Sequence, residues 1–501
     1  MGLRTRLLTA LGFKKEEPVP QPMPRLRRRA YAGAVISRLT ADWISQSTSA
    51  DAEIKNSLTK LRDRSRQLVR DNPHAANAVR MIRLNVVGSG MKLQSQVMNA
   101  RGSKRATSIN NMIESAWAHW CRVGNCEVSG RHGFHDLEFL TAGAIPTSGE
   151  IFFRIHRKAV GKSKVKLSLE AIEGDQVDES YSGKLLNPDN EWRMGVEVTP
   201  EQKPVRYAFY NRHPGDQWVT GNKVQAQKRH ILIKAEDIIH LTGPIDRPLQ
   251  TRGVPWFASV MADVHQLSGY DEAATIRARS AASLMGFVTS AEGEISEYDD
   301  VEGEQRITSF EPGKFHYLNQ GENVVVPDMG SPDQQYEMFT RAKTRRFAAG
   351  LGVSYQSLAR DFSDTNYSSA RLSLLEDRDH YKKMQQYMIE HFHMRVFREW
   401  LDMAVLSGAI KLNDYELRPE RYDTPMFLCR GYAWVDPLKE ANAYALMEDR
   451  GYMTKAQICS QLGTDLEENM SQIAREKKMA QEMGVEFQTE ATLNEEEPEQ
   501  Q

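Results

Sequence analysis

The chain has 501 residues, of which 40% are apolar and 26% charged, with a formal net charge of -2. This is ordinary soluble composition with material for roughly two to four domains. Four cysteines exclude a disulfide framework, the near-zero charge excludes a chain-wide basic field for nucleic acid, and no apolar run reaches membrane-spanning length.

The opening "MGLRTRLLTALGFKKEE" is basic, with an apolar patch too short and interrupted for a secretory signal, so a soluble protein made in the cytoplasm is expected. Pro18, Pro20, Pro22 and Pro24 alternate with polar residues and lead into Arg25, Arg27, Arg28 and Arg29, a flexible basic arm. Residues 51–87 read as helix, with Asp51 able to cap and apolar positions at Ile54, Leu58, Leu61, Leu68, Ala76, Val79 and Ile82. Pro73 divides it in two, and Gly88 and Gly90 end it. "MKLQSQV" reads as a strand and residues 105–121 as a helix. "GEIFFRIHRK", "VKLSLEAIEGDQV", "PVRYAFY" and "DIIHLTG" then suggest a β-rich part reaching about residue 243.

Cys121 and Cys126, with His119, His132 and His135 nearby, raise a zinc site. The gap from Cys126 to His132 is shorter than zinc fingers use, and the plain alternative is a small buried residue ending the Trp117–Trp120 helix. "GKSK" at Gly161 lacks the upstream glycine of a phosphate loop.

From Pro255 the pattern becomes a long helix with Pro255 in its first turn. Its stripe runs through Trp256, Val260, Val264, Leu267, Tyr270, Ala274, Ala278, Ala281 and Leu284. The Ala-rich second half suits close packing, within the chain or against a neighbouring subunit. An acidic insert at 286–330 has two strands, "KFHYL" and "ENVVVP". Ser331 then caps a helix with Pro332 at its first position, ending at Gly350. The loop "GLGVSYQSLARDFSDTNYSSAR" leads into a helix from Ala370 to about Leu406. "PMFLCRGYAWV" is strand-like. Asp436 caps a helix beginning with Pro437, and further helices start at Thr454 and Asp465, the latter with Glu468 placed for a capping box. "NEEEPEQQ" reads as a disordered acidic tail.

The chain resembles the lambda-type portal proteins of tailed bacteriophages. The resemblance is carried, in order, by "LRDRSRQLVRDNPHAANAV", "NVVGSGM", "TSGEIFFR", "IEGDQVD", "PVRYAFYNRHPGD" and "IIHLTGPIDRPLQTRGVPWFASVM". It continues in "PGKFHYLNQGENVVV", "AAGLGVSYQSLARDFSDTNYSSAR" and "WVDPLKEANAYALMEDRGYMTKAQICSQLGTDLEE", covering roughly residues 30–485. It implies an α+β portal-type fold assembled as a ring. The layout it implies is an arm (1–30), a wing of helices and β-rich part (31–250), a first stem helix (251–285) and a small α/β clip (286–330). Beyond these it implies a second stem helix (331–350), a tunnel loop (351–369), a wing helix with return strand (370–435), crown helices (436–485) and an acidic tail (486–501).

The same resemblance implies a function: a homododecameric conduit at one capsid vertex of the virion, through which double-stranded DNA is packaged and ejected. The implied partners are the large terminase subunit, the major capsid and scaffold proteins, and head-completion or adaptor proteins, with no membrane, cofactor, metal or catalytic role. Tunnel-loop candidates are Ser354, Tyr355, Gln356, Ser357, Arg360, Asp361 and Asp364. Stem candidates are Arg277, Arg279, Arg341, Lys343, Arg345 and Arg346. Clip candidates for terminase docking are Glu292, Glu294, Glu297, Asp299, Asp300, Glu302 and Glu304.

Two other classes compete. In a nuclease, Asp361, Asp364 and Asn366 would hold a metal, although capping and turn chemistry explain them equally well. In a monomeric scaffold the long helices would pack within one chain. A serine nucleophile needs an oriented base, and the nearest histidine, His380, reads as mid-helix on a wet face.

Overall fold

A computed structural model describes residues 38, 46–99, 105–218, 230–243, 247–282, 287–290, 301–302, 305–306, 322–325, 334–432 and 436–484. The chain divides into Met1–Ser49 and Ala50–Gln501. In the first unit only Arg38, in a turn, and residues 46–49 are described. The expected basic arm, with Arg25 to Arg29, and the acidic tail lie outside the described residues.

Helices α1 (Ala50–Lys55), α2 (Leu58–Asp71) and α3 (Pro73–Val86) open the second unit. The α2–α3 break falls where Pro73 puts it: Asn72 caps α3, its Oδ1 accepting from the amides of His74 at 3.0 Å and Ala75 at 3.1 Å. Strand β1 (Lys92–Ser95) pairs antiparallel with β13 (Pro425–Leu428), far along the chain. Helices α4 (Thr107–Trp120) and α5 (Phe134–Ser148) come next. No sequence pattern marked α5, because it is buried on nearly every side and has Pro146 inside it, which erases the polar face that identifies a helix.

Two antiparallel sheets form the β-rich part. One has the order β3-β2-β8 and comprises β2 (Ile151–His156), β3 (Ser168–Ile172) and β8 (Ile238–Leu241). The other has the order β4-β5-β6-β7 and comprises β4 (Glu191–Arg193), β5 (Val196–Val198), β6 (Pro204–Tyr210) and β7 (His230–Lys234). Strands β2, β3, β6 and β8 fall within the segments expected to be strands. β4 and β5 are three residues each and β7 is ringed by charge, so they carry little pattern. Phe152, Val177, Val196, Tyr207, Phe209 and Ile233 form one buried cluster with members from both sheets.

Pro255 keeps an extended backbone (ψ 137°) and therefore precedes the helix it was expected to start. A single 3₁₀ turn, Trp256–Ser259, intervenes before α6 (Met261–Ala282). The apolar stripe is buried at Val260, Val264 and Leu267, Tyr270 then emerges into solvent, and Ala274 and Ala278 are half-buried. Within 286–330 the described strands are β9 (Phe287–Ser290), the short β10 (Val301–Glu302) and β11 (Gln305–Arg306), and β12 (Glu322–Val325). β12 lies in "ENVVVP" as expected, and its described partner is β9. "KFHYL", Ser331 and Pro332 lie outside the described residues. So do Glu292, Glu294, Glu297, Asp299, Asp300 and Glu304, while Glu302 is described only through the backbone of β10.

Helix α7 (Gln334–Leu351) ends near the opening of the Gly-rich segment. The segment is less loop-like than expected: it holds the short α8 (Tyr355–Ala359), and α9 (Tyr367–Met388) starts three residues before Ala370 because Asn366 caps it. α9 passes through one π-turn (Ile389–His393) into α10 (Met394–Leu406), the long rod anticipated from sequence. Its aromatic residues build the main core: Trp117 meets Trp400 edge-on at 5.1 Å, and Phe134 stacks on Phe392 at 5.3 Å. Helices α11 (Pro437–Asp449), α12 (Lys455–Gln461) and α13 (Leu466–Met483) complete the described chain. Asp436, Thr454 and Asp465 cap them as expected, but the reciprocal box forms between Thr454 and Gln457, not at Asp465. No helix among the described residues is long and apolar enough to cross a membrane.

Candidate functional site

The segment between α7 and α9 has two halves. In the first, Leu351, Val353 and Leu358 are buried with Ala75, Ala78 and Val79 of α3, with Phe257 and Val260 before α6, and with Phe347 of α7. Ser354 caps α8 and is itself pinned. Asp377 Oδ1 accepts from the Ser354 amide at 2.7 Å, and Oδ2 accepts from the hydroxyls of Ser354 and Ser357, each at 2.7 Å. Asn77 Nδ2 donates to the carbonyls of Ser357 (3.1 Å) and Leu358 (2.9 Å). Ser354 and Ser357 are thus groups that hold the segment, and Gln356 beside them is half-buried.

The second half begins at Arg360, an exposed residue in the left-handed region (φ 57°). Asp361 then makes a tight turn, accepting from the Ser363 hydroxyl at 2.6 Å and amide at 3.1 Å, and from the Tyr355 hydroxyl at 2.8 Å. Those bonds, led by the Ser363 hydroxyl, hold its carboxyl well below the usual carboxylate range. Across the gap, Arg341 of α7 pairs with Asp361 (3.3 Å) and with Asp364. Asn366 accepts from the Ser369 amide at 2.9 Å. The three side chains that a nuclease would use as metal ligands are occupied by caps, a turn and an ion pair.

The other cations of α7 each face a carboxylate or an aromatic ring. Lys343 (2.7 Å) and Arg346 (3.0 Å) share Asp263 of α6, and Arg345 lies over the Tyr355 ring at 5.3 Å. Tyr336 stacks on Tyr270 and donates to Asp271 at 3.0 Å, clamping α7 to α6. Arg277 and Arg279 sit exposed on the outer half of α6. His380 does not lie on a wet face. It packs edge-on to Trp256 at 5.4 Å, and burial pushes its pKa down. Nor is it bonded to a segment serine; Asp377, which no sequence signal singled out, takes that position.

A second cluster has no sequence signature at all. Glu150, directly before β2, is fully buried and takes Arg252 through its Nε (3.0 Å to both oxygens) and Nη2 (2.5 Å). Arg62 of α2 reaches the same carboxylate at 3.1 Å, and His240 Nε2 lies 3.0 Å away. Arg252 also donates to the carbonyls of Met194 (2.7 Å) and Gly174 (2.9 Å). Burial alone would raise the Glu150 carboxyl; the Arg252 guanidinium and the His240 contact outweigh it and hold it far below the usual range. Beside it Gly149 has φ 85°, and a Cβ there would stand 2.6 Å from the Gly253 carbonyl, so the chain leading to α6 crosses the end of α5 at backbone distance. Arg62, Glu150, Gly174, His240 and Arg252 come from five separate stretches of the sequence, and they meet here.

The cysteines do not gather with histidines. Burial pushes Cys126 up to about 12 and Cys121 well above its ordinary value, and Cys126 Sγ points at the carbonyls of Cys121 and His132. His135 and His393 both turn to Glu138 instead, at 3.3 and 2.6 Å. Among the described residues, the one grouping with metal-like spacing is Glu173, Asp175 and His213, and Arg66 already pairs there with Asp175 at 2.6 Å.

The family model described as phage portal protein, lambda family, matches residues 37–385. A probable portal protein of Halomonas phage phiHAP-1 is 29% identical, with 97% of this chain and 94% of that protein covered. Portal protein B of Escherichia phage lambda is 22% identical over 91% of each chain, and the portal protein of Escherichia phage N15 is 23% identical over 88% of each. Among solved structures, the neck of an empty gene transfer agent particle aligns at 13% identity and a TM-score of 0.42, covering 80% of this chain and 93% of that one. The chain belongs to the lambda family of phage portal proteins.

Proposed function

We propose that about twelve copies of this chain close into a ring at one vertex of the capsid and form the conduit through which double-stranded DNA enters and leaves. In this reading α6 and α7 are the stem, residues 351–369 the tunnel segment, 286–330 the clip that meets the large terminase subunit and later the head-completion proteins, and 436–485 the crown. Capsid and scaffold proteins hold the rim. The protein is structural and carries out no chemistry of its own.

The observation that best supports it is the matching of cations on α7. Each phosphate contact that displaces counterions adds to affinity and makes the hold on DNA salt-dependent. Here Arg341, Lys343 and Arg346 face Asp361, Asp364 and Asp263, so the stem offers DNA a wall of paired charge instead of a free basic stripe.

Native mass measurement and negative-stain imaging of the purified protein test the proposal. A hollow ring of about twelve subunits is the expected result. A chain that stays monomeric even with capsid and scaffold proteins added overturns it, as does DNA cleavage that depends on a divalent metal.

A further inference from the structure

The loop joining β2 to β3 runs through "RKAVGKSKVK", the stretch whose "GKSK" falls short of a phosphate loop. From Arg157 to Leu169 it places five cations and no acid, in a chain whose 65 basic and 67 acidic residues otherwise balance. Arg157 is taken by Asp237 at 2.6 Å and by Glu399 at 3.2 Å. Lys158, Lys162, Lys164 and Lys166 are exposed, and among the described residues none of them pairs with a carboxylate.

The backbone holds this loop in one shape. His156 pairs with Ser168 across its base, and the Ser168 hydroxyl donates to the Lys158 carbonyl at 3.2 Å. Trp120 Nε1 donates to the Leu167 carbonyl at 3.0 Å, and Val165 is buried in the main core. Gly161 has φ 58°, and a Cβ there would stand 2.1 Å from the Gly124 carbonyl oxygen, so the loop lies at backbone distance on the turn after α4. That turn adds Arg122, exposed and likewise without a carboxylate partner among the described residues. The lysines are thus kept at one end of a hairpin, where like charges repel and no paired acid offsets them.

Chemistry chooses the partner. Protein interfaces centre on aromatic and arginine anchors and are depleted in lysine. Among the described residues of this loop and turn, the one large apolar side chain exposed is Val123, and no aromatic one is. Lysine ammoniums are compact point charges that meet phosphate with little geometric demand. A spread of them suits a regular line of phosphates, gripped without regard to sequence.

We infer that the β2–β3 loop is a contact for the phosphate backbone of double-stranded DNA, made by Lys158, Lys162, Lys164 and Lys166 with Arg122 beside them. The contact goes beyond the conduit reading and lies outside the tunnel segment. Val165 and Leu167 of the loop belong to the main core, whereas Leu351, Val353 and Leu358 belong to another cluster.

The test uses full-length protein and a short duplex of mixed sequence over a range of salt. Lys158→Gln, Lys162→Gln, Lys164→Gln and Lys166→Gln together are expected to weaken binding about tenfold at low salt and to flatten the slope of log affinity against log salt by about 3, near one unit per lost phosphate contact. The same four positions changed to Arg are expected to keep both, because charge carries the contact. In amine labelling read by mass spectrometry, the duplex is expected to shield these four lysines. Lys234 and Lys439, exposed but paired with Glu236 and Asp436, are expected to label as before. An unchanged slope with equal labelling overturns the inference. Shielding by capsid or scaffold protein, with none by duplex DNA, names an acidic protein surface as the partner and overturns it too. Loop-dependent binding in a protein that never closes into a ring overturns the conduit reading and leaves this inference standing; a normal ring with an unchanged slope does the reverse.

Discussion

Two clusters of arginine and carboxylate sit on this chain and differ mainly in their access to water. Around Glu150, Arg252 and Arg62 are within 1% of full burial, and every oxygen has a partner. Around Arg341, Asp361 and Asp364 lie at the surface at the end of a turn. The same ion chemistry has opposite consequences in the two places. A buried pair broken on one side leaves an uncompensated charge with no water to solvate it, whereas an exposed pair exchanges its partner for solvent at little cost. The first fixes where α6 leaves the body; the second positions a turn without contributing much to folding.

The sharpest way to break the comparison is at the buried end. Arg252→Ala should cost about 3–5 kcal/mol of unfolding free energy by urea titration. Replacing Glu150 and Arg252 together by Gln and Met should recover much of that loss, because no lone charge remains. A double variant no better than the single one would mean that the Met194 and Gly174 carbonyls, and not the ion pair, are what Arg252 serves.

Acid sharpens it further. The Glu150 carboxyl titrates far below its unfolded value of about 4.3, so its contribution is complete above that pH and is lost as pH falls below it. Burial depresses His240 as well, so keeping it neutral costs stability as pH falls below its unfolded value of about 6.5. The urea midpoint should therefore decline gently below about pH 6.5 and more steeply below about pH 4.3. The Glu150→Gln, Arg252→Met variant should make the steep part shallower, and Asp361→Ala, at an exposed site, should change it less.

How much of this is legible in sequence depends on how locally each feature is encoded. Pro73, Asn366, Asp436 and Thr454 act on their own few neighbours, and those helix ends are readable or nearly so. Phe134–Ser148 is not, because burial on nearly every side leaves little periodicity. The Glu150–Arg252 pair joins residues far apart in sequence, and nothing near either residue announces the other. Asp377 sits in "LEDRDH", where its charged neighbours give the pattern of a solvated face, yet it is the buried one. The tunnel candidates can therefore be located as a segment, while their sorting into anchored serines and an acidic turn needs the fold.

An intermediate case lies between the two clusters. Asp377→Ala removes three acceptor bonds from a buried position and should cost about 1–3 kcal/mol. Its distinctive mark should be local: limited proteolysis within 354–366 should quicken more than global unfolding explains. Uniform protection across the segment would show that Leu351, Val353 and Leu358 hold it alone.

The smallest thermodynamic effect belongs to the exposed cluster. Asp361→Ala with Asp364→Ala should leave the urea midpoint and the ring unchanged, because Arg341 turns to Glu337 (3.5 Å) and to water. In the proposed ring, what changes is the charge presented along the channel. Each subunit then carries two acids fewer beside Arg341, and the symmetry of the proposed ring would repeat that gain in positive charge around the channel. Phosphate contacts of that kind make binding steeply salt-dependent. The variant should therefore retain DNA longer and package it more slowly at low salt, with the difference shrinking as salt is raised. Arg341→Ala should show no such salt dependence, although it frees the same turn. If both variants behave alike, the turn acts through its position; if only the aspartate variant slows DNA, it acts by keeping Arg341 occupied.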